Sequence, residues 1–225
     1  MTNALTELID SQIETDQMFR VQAKFWAAAN WPMSPHQDDK FAGLFLPVLQ
    51  AALPQKGSLL ILDYGCGPGR LWQWLKPLAS EYVGVDPVEE FLSVFKANSP
   101  EAQLYQIGSE KTGLPDSFFD LVVAWGILCH VSITQARLIL EELHRVLAPA
   151  GRVIVSFIEP GYSLTSAFCN WVNHTRADVL DLAAQAGLLL VSEAKVPERD
   201  DAAQTIFILR RRTHEDKSPG QEIPI

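Results

Sequence analysis

Cysteine is scarce in these 225 residues: Cys66, Cys129 and Cys169 only, with no C-x-x-C pair among them. An odd count at such wide spacing argues against a disulfide framework and for free thiols in a reducing compartment. Long apolar runs are missing too. None approaches the ~20 residues that cross a bilayer, and the opening MTNALTELIDSQIETDQ carries acids where a signal peptide needs a basic flank. The expectation is a soluble, cytoplasmic protein with no membrane partner. Positive charge is in short supply, with 18 Lys and Arg against 27 Asp and Glu and a net charge of −9, which would repel a phosphate backbone. No nucleic-acid partner is expected on that ground. The one basic run, Arg210-Arg211-Arg212, reads as a solvated strand end. No internal repeat or linker divides the chain into two cores.

What is present is an apolar content of 48 %, enough to bury a sizeable single core. Residues 3 to 29 show helical spacing (Leu5, Leu8, Ile9, Ile13) before the aromatic KFWAAANW, and Pro32 and Pro35 end that segment. A further helix is expected in DKFAGLFLPVLQAAL. From residue 59 the rhythm changes to short apolar strands separated by amphipathic helices: LLILDY, YVGVD, AQLYQI, FFDLVVAW and GRVIVSF. That alternation implies a parallel sheet covered on both faces. After the helix HTRADVLDLAAQAG, with Thr175 and Gly187 as its expected caps, LLLVSEAKV and AQTIFILRR follow with no helix between them, so they must pair antiparallel. The chain therefore divides into an N-terminal helical cap (1–56), an α/β domain (57–212) and a tail (213–225) expected to be disordered.

The chemistry concentrates in Asp63-Tyr64-Gly65-Cys66-Gly67-Pro68-Gly69-Arg70, at the end of the first strand. A glycine-rich turn from strand to helix brings bare backbone N–H groups and a helix N-terminus to the sheet's carboxyl edge, where open α/β sheets bind ligands. The dinucleotide pattern G-x-G-x-x-G is not met, because the third glycine comes one residue early and Arg70 stands where that pattern has glycine. An acid two residues before the first glycine suits a ligand with a cationic group.

This stretch resembles the first motif of the class I S-adenosylmethionine-dependent methyltransferases, D/E-x-G-x-G-x-G. YVGVDP is similar to that family's second strand with its ribose-binding acid, LPDSFFDLVVAWGILCHV to its fourth strand and the turn beyond, and EELHRVLAPAGRVIVSF to the helix, turn and fifth strand. The resemblance implies a doubly wound, Rossmann-like, seven-stranded mostly parallel sheet with a C-terminal antiparallel hairpin, and S-adenosyl-L-methionine as cofactor. It also implies roles. Asp63 would accept from the methionine ammonium, with Gly65, Cys66, Gly67 and Gly69 forming the turn around the amino-acid and ribose portions. Asp86 would hold the ribose hydroxyls, with Pro87 and Val88 beside the adenine. Ser109 and Glu110 occupy the loop that contacts the adenine amino group, and Trp125 either walls the site or covers the sheet edge.

Methyl transfer from a sulfonium is a displacement that needs alignment and exclusion of water more than a catalytic side chain. Where a proton must leave the acceptor, His130, after the fourth strand, is the best placed base; packing is its other reading. His36, His144 and His174 are weaker candidates, and a solvated face is expected for His144. The acceptor pocket is expected from Phe25, Trp26 and Trp31, the SPHQDDKF loop, and EPGYSLTSAFCNWVNH with Trp171. The N/D-P-P-Y/F turn of nucleic-acid amino-methylating enzymes is replaced by AWGI. His36, Asp38 and Asp39 cluster ahead of the sheet without a partner acid after the fourth strand, so no metal is expected. The expected activity is methyl transfer to an O or N atom of a small-molecule acceptor. A cofactor-binding partner subunit or sensor, and an NAD-dependent oxidoreductase, are the alternatives.

Overall fold

The computed structural model describes residues 35–108, 110–160, 172–199, 202–213 and 215–217. α1 (Pro35–Ala52) precedes β1 (Leu59–Tyr64). α2 (Trp72–Leu75), continued by a 3-10 turn over Lys76–Leu78, leads to β2 (Ala79–Asp86), and α3 (Glu89–Asn98) leads to β3 (Gln103–Gln106). There follow β4 (Phe119–Ala124), α4 (Ile133–Val146), β5 (Leu147–Ile158), α5 (Arg176–Gln185), β6 (Leu188–Arg199) and β7 (Ala202–Arg211).

The seven strands form one sheet in the order β3-β2-β1-β4-β5-β7-β6. Pairing is parallel from β3 through β5 and antiparallel for β5 with β7 and β7 with β6, as the sequence pattern requires. The order reverses at β1, with β2 on one side and β4 on the other. The carboxyl ends of β1 and β4 therefore flank the crevice where such sheets take ligands. Alternation within each strand serves two cores. Leu62, Val122, Val153 and Phe207 meet Ile139 and Leu143 of α4 and Val179 of α5 on one face. Ile61, Leu121, Val123, Ile154 and Ile206 meet Phe45 and Leu49 of α1 and Phe95 of α3 on the other.

Helix starts are set by side chains that cap the free backbone donors. Ser132 and Gln135 exchange bonds at α4 (3.3 and 3.0 Å), and Thr175 and Asp178 do so at α5 (3.1 and 3.3 Å). Gly187, at φ +82°, closes α5 as expected.

Several elements differ from the sequence reading. The SPHQDDKF segment is not a loop from Pro35 onward; it is the start of α1, because proline fits a first helical position that has no N–H to satisfy. β5 begins directly after α4, so the Pro149-Ala150-Gly151 turn becomes an irregularity in the strand, marked by a register shift between Phe119 and Leu121. The arginine run is not a solvated strand end. Arg210 makes two bonds of 2.8 Å to Asp216, and Arg211 Nη2 donates to the His144 carbonyl at 2.7 Å and the Arg145 carbonyl at 3.2 Å. Arg211 thus satisfies carbonyls left open at the α4 C-terminus. Asp216 also accepts from Thr213 N–H at 2.7 Å, so the tail expected to be disordered begins with an ordered turn. Cys66 and Cys129 are buried thiols that form no disulfide among the described residues. Cys169, the helix expected over residues 3 to 29, and Phe25, Trp26, Trp31 and Trp171 lie outside the described residues, as does all of the tail beyond 217. No described helix is long and apolar enough to cross a membrane.

An ion pair between the buried Glu142 and the half-exposed Arg145 ties the loop ahead of β4 to α4. Glu142, 3 % exposed, accepts from Thr112 N–H (2.8 Å), Thr112 Oγ1 (2.6 Å) and Arg145 Nε (2.8 Å), while Arg145 Nη1 donates to the Leu114 carbonyl at 2.8 Å. Arg145→Ala strands the buried carboxylate and should lower stability by about 3 kcal/mol in urea unfolding. The double change Glu142→Leu, Arg145→Met should recover most of that loss.

Candidate functional site

The turn after β1 is stitched to the neighbouring strand, since Gly65 N–H and Cys66 N–H both donate to the Val85 carbonyl at 2.7 and 3.0 Å. Gly65, Gly67 and Gly69 all have positive φ (+72°, +53° and +94°), which side chains rarely adopt. Their surroundings differ. A Cβ at Gly65 would lie 2.0 Å from Ile127 Cδ1 and one at Gly69 2.6 Å from the Phe95 ring, whereas one at Gly67 meets nothing within 4 Å. The outer glycines are therefore required by protein packing, and Gly67 alone of the three faces open space. The sequence motif groups Gly65 with Gly67 as making room for a ligand; the Ile127 side chain takes that room at Gly65.

Two acids sit beside this opening. Asp86, at the end of β2 and 5 % exposed, accepts from Gly67 N–H at 2.8 Å through Oδ2 and from Val88 N–H at 2.9 Å through Oδ1. Each oxygen keeps a second lone pair. Asp63, 1 % exposed, accepts from the Tyr82 hydroxyl at 2.8 Å. Burial pushes the Asp63 carboxyl up to about 7, and the neighbouring charge of Asp86 adds to the rise. Burial likewise raises Asp86 to about 6 against the pull of its two backbone donors. Among the described residues neither acid has an ion-pair partner. The surroundings thus support the ionised forms of both acids poorly, and a cationic group would favour their ionisation.

The walls are tied to the same turn. Pro87 is exposed and Val88 buried, Gln106 Nε2 donates to the Pro87 carbonyl at 3.0 Å, and the Tyr64 hydroxyl donates to the Glu110 carbonyl at 2.8 Å. Glu110 is half-buried; Ser109 lies outside the described residues. Trp125 packs its indole edge-on against Phe41 and Phe45 of α1, with centroids 5.4 and 5.2 Å apart. Burial drives the Cys66 thiol well up, so the sulfur is an inert part of the turn.

The histidines separate by environment. His130, half-buried after a 3-10 turn over Leu128–His130, is pushed down to about 4 by desolvation. His174 is a structural pin, its Nε2 lying 2.9 Å from the Leu128 carbonyl and 3.0 Å from the Val131 carbonyl. His144 is not on a solvated face. It packs against Gly187, and burial with the nearby Arg211 lowers it. Sequence reasoning missed Tyr82, Tyr64, Gln106 and Ile127, because each acts through a partner on another strand or turn.

The Asp63 carboxyl has a consequence for stability. Its folded pKa is raised, so its contribution is favourable below the unfolded value near 3.8 and is lost as pH climbs through about 7. Asp63→Asn should match the parent in urea unfolding near pH 4. At pH 8 the variant should be more stable by on the order of 3 kcal/mol, because its neutral amide oxygen still accepts from Tyr82.

Comparison with known proteins agrees with this geometry. Residues 62–155 match the family described as a methyltransferase domain. The ubiquinone biosynthesis O-methyltransferase of Bradyrhizobium diazoefficiens is 30 % identical over 103 residues, covering 44 % of this chain and 40 % of that protein. The tRNA U34 carboxymethyltransferase of Mannheimia succiniciproducens is 33 % identical over 141 residues, covering 50 % and 43 %. The chain spans less than half the length of either relative. Among solved structures, magnesium protoporphyrin IX methyltransferase from Synechocystis with bound SAH aligns with a TM-score of 0.67 at 17 % identity, over 87 % of this chain and 99 % of that one. The domain match and the shared fold set aside the nicotinamide reading of the glycine turn. That match, the strand order and the turn itself support a class I S-adenosylmethionine-dependent methyltransferase domain over residues 62–155.

Proposed function

We propose that the protein transfers the methyl group of S-adenosyl-L-methionine to an oxygen or nitrogen atom of a small-molecule acceptor. The observation that carries the cofactor half of this reading is Asp86, fixed by Gly67 N–H and Val88 N–H beside the open space at Gly67. Its two remaining lone pairs suit a pair of vicinal hydroxyls, and the buried Asp63 carboxyl, without an ion-pair partner among the described residues, suits an ammonium group that would favour its ionised form. Gly65, Cys66, Gly67 and Gly69 shape the turn; Pro87 and the loop at Ser109 and Glu110 border the base; the backbone at Trp125 borders the amino-acid end. The cofactor, when bound, supplies a methyl already activated by its sulfonium.

What remains for the chain is to place the acceptor and keep water out. The N-terminal part, residues 1–56, serves as the acceptor-site cover in this proposal, and α1 brings Phe41 and Phe45 onto Trp125. Arg70 stacks over Phe41 at 3.7 Å and joins this cover to the glycine turn. His130 is the proposed base. Desolvation lowers its pKa to about 4, so it is neutral at physiological pH but a weaker base than an exposed histidine, and its place after β4 is what supports the role.

The test is incubation with methyl-labelled cofactor and, in separate arms, a small-metabolite extract and bulk tRNA. Label entering the small-molecule fraction is expected; label entering tRNA alone would overturn the acceptor class. In calorimetry, Asp86→Ala should weaken S-adenosylmethionine binding by about 2 to 3 kcal/mol, and unchanged affinity would remove Asp86 from the site. His130→Ala should lower turnover and leave cofactor affinity intact, and an unaltered rate retires it as the base.

A further inference from the structure

Asp63 and Tyr82 make a contact that the pairing of their strands does not require. In the parallel ladder of β1 and β2, Asp63 lies opposite Gly84 and Ile61 opposite Tyr82, so Tyr82 shares a face with Asp63 and reaches it on the diagonal. Gly84 places no side chain between them. The Tyr82 ring is held edge-on by Trp72, with centroids 4.7 Å apart, and by Phe95 at 6.2 Å. That packing aims the hydroxyl, which donates to Asp63 Oδ2 at 2.8 Å. The other titratable groups acting on Asp63 among the described residues are Cys66 in the turn and Asp86 at the end of β2. Burial, with the nearby Asp63 charge, drives both the Cys66 thiol and the Tyr82 hydroxyl well up, so both stay protonated. Asp86 opposes a second negative charge beside it. Of these three groups, only the Tyr82 hydroxyl supports the ionised carboxylate, since a donated hydrogen bond favours that form.

We propose that Tyr82 is a positioning residue for cofactor binding: its hydroxyl keeps Asp63 ready to ionise, and the ammonium end of the cofactor, on reaching the glycine turn, drives a proton from Asp63 into solvent. This rests on the reading that the ammonium group is held near Asp63. The Asp63 O–H bond breaks, the proton goes to buffer, and the carboxylate left behind is balanced by the ammonium. Direct contact is not needed, because attraction between charges in a low-dielectric surround extends beyond hydrogen-bond distance. The sign follows from the raised Asp63 value of about 7. Below it the carboxyl is mostly protonated and binding must first remove the proton; above it the charge is already present. Cofactor binding therefore tightens as pH rises through neutrality, and the Tyr82 hydroxyl sets where that rise falls.

The probe is S-adenosylhomocysteine, which carries the ammonium without the sulfonium, titrated into the full-length protein by calorimetry. Running each titration in two buffers of different ionisation enthalpy counts the protons released. At pH 7 the parent should release about half a proton, Tyr82→Phe close to a whole one, and Asp63→Asn little. One hydrogen bond to a charge is worth about ten-fold in the ionisation of Asp63, so Tyr82→Phe should bind about five-fold more weakly than the parent at pH 7 and within about two-fold of it at pH 8.5. A packing defect alone would weaken binding alike at both values and leave the proton count unchanged. Equal proton release by the parent and Tyr82→Phe overturns the proposal. So does undiminished release by Asp63→Asn, which would place the proton on Asp86. The parent is itself a test where a variant does not fold, because binding at pH 7 with no proton released also overturns the proposal. Failure of the parent to bind at any pH is a separate result that sinks the cofactor site as well. The expected proton counts without methyl transfer to any small molecule keep this inference and sink the proposed acceptor.

Discussion

The structure of the site depends on the pinning of Asp86. Its carboxylate receives one N–H from Gly67, in the turn after β1, and one from Val88, in the turn after β2. Two loops from different strands are thereby locked to a single side chain 5 % exposed, and the loop after β3 joins them when Ile107 N–H donates to the Asp86 carbonyl at 3.2 Å. Burial of a carboxylate is unfavourable on its own. Here it is offset by backbone donors that would otherwise need partners themselves. The turn is rigid without any ligand, which reduces the ordering that binding has to supply.

The second acid works in the opposite sense. Asp63 has one hydroxyl donor and sits deeper, so its ionised form is poorly supported and its pKa is raised to about 7. Packing and electrostatics therefore compete at the mouth of β1. The sheet would be more stable with an apolar residue there, and the retained acid is the kind of local inconsistency that marks a functional site.

Much of the fold was legible because periodicity and caps are local. The strand alternation, the Thr175 cap and the glycine closing α5 can all be read within a few residues. The glycine turn and both acids were legible for the same reason. What escaped depends on contacts across the sheet. Tyr82 meets Asp63 from the adjacent strand, Tyr64 reaches the loop after β3, and Ile127 explains Gly65 from beyond β4. Arg211 misled in the same way: a basic run at a strand end looks solvated until the C-terminus of α4 is placed against it. His144, in that last turn, is packed by the same arrangement.

The division of labour between the two halves of the crevice follows from strand order. Left of the switch point, the loops after β1, β2 and β3 are joined by backbone and side-chain hydrogen bonds around acids, a polar and rigid surface whose parts are fixed by one another. Right of it, Trp125 after β4 meets Phe41 and Phe45 of α1 through aromatic rings. Ring packing constrains position less tightly than a directed hydrogen bond does, so this half tolerates substitution while the other does not. A fold built this way keeps the geometry of one half constant and lets the other change with a few side chains. The acid and glycine positions are therefore the part of the crevice whose role is legible from sequence.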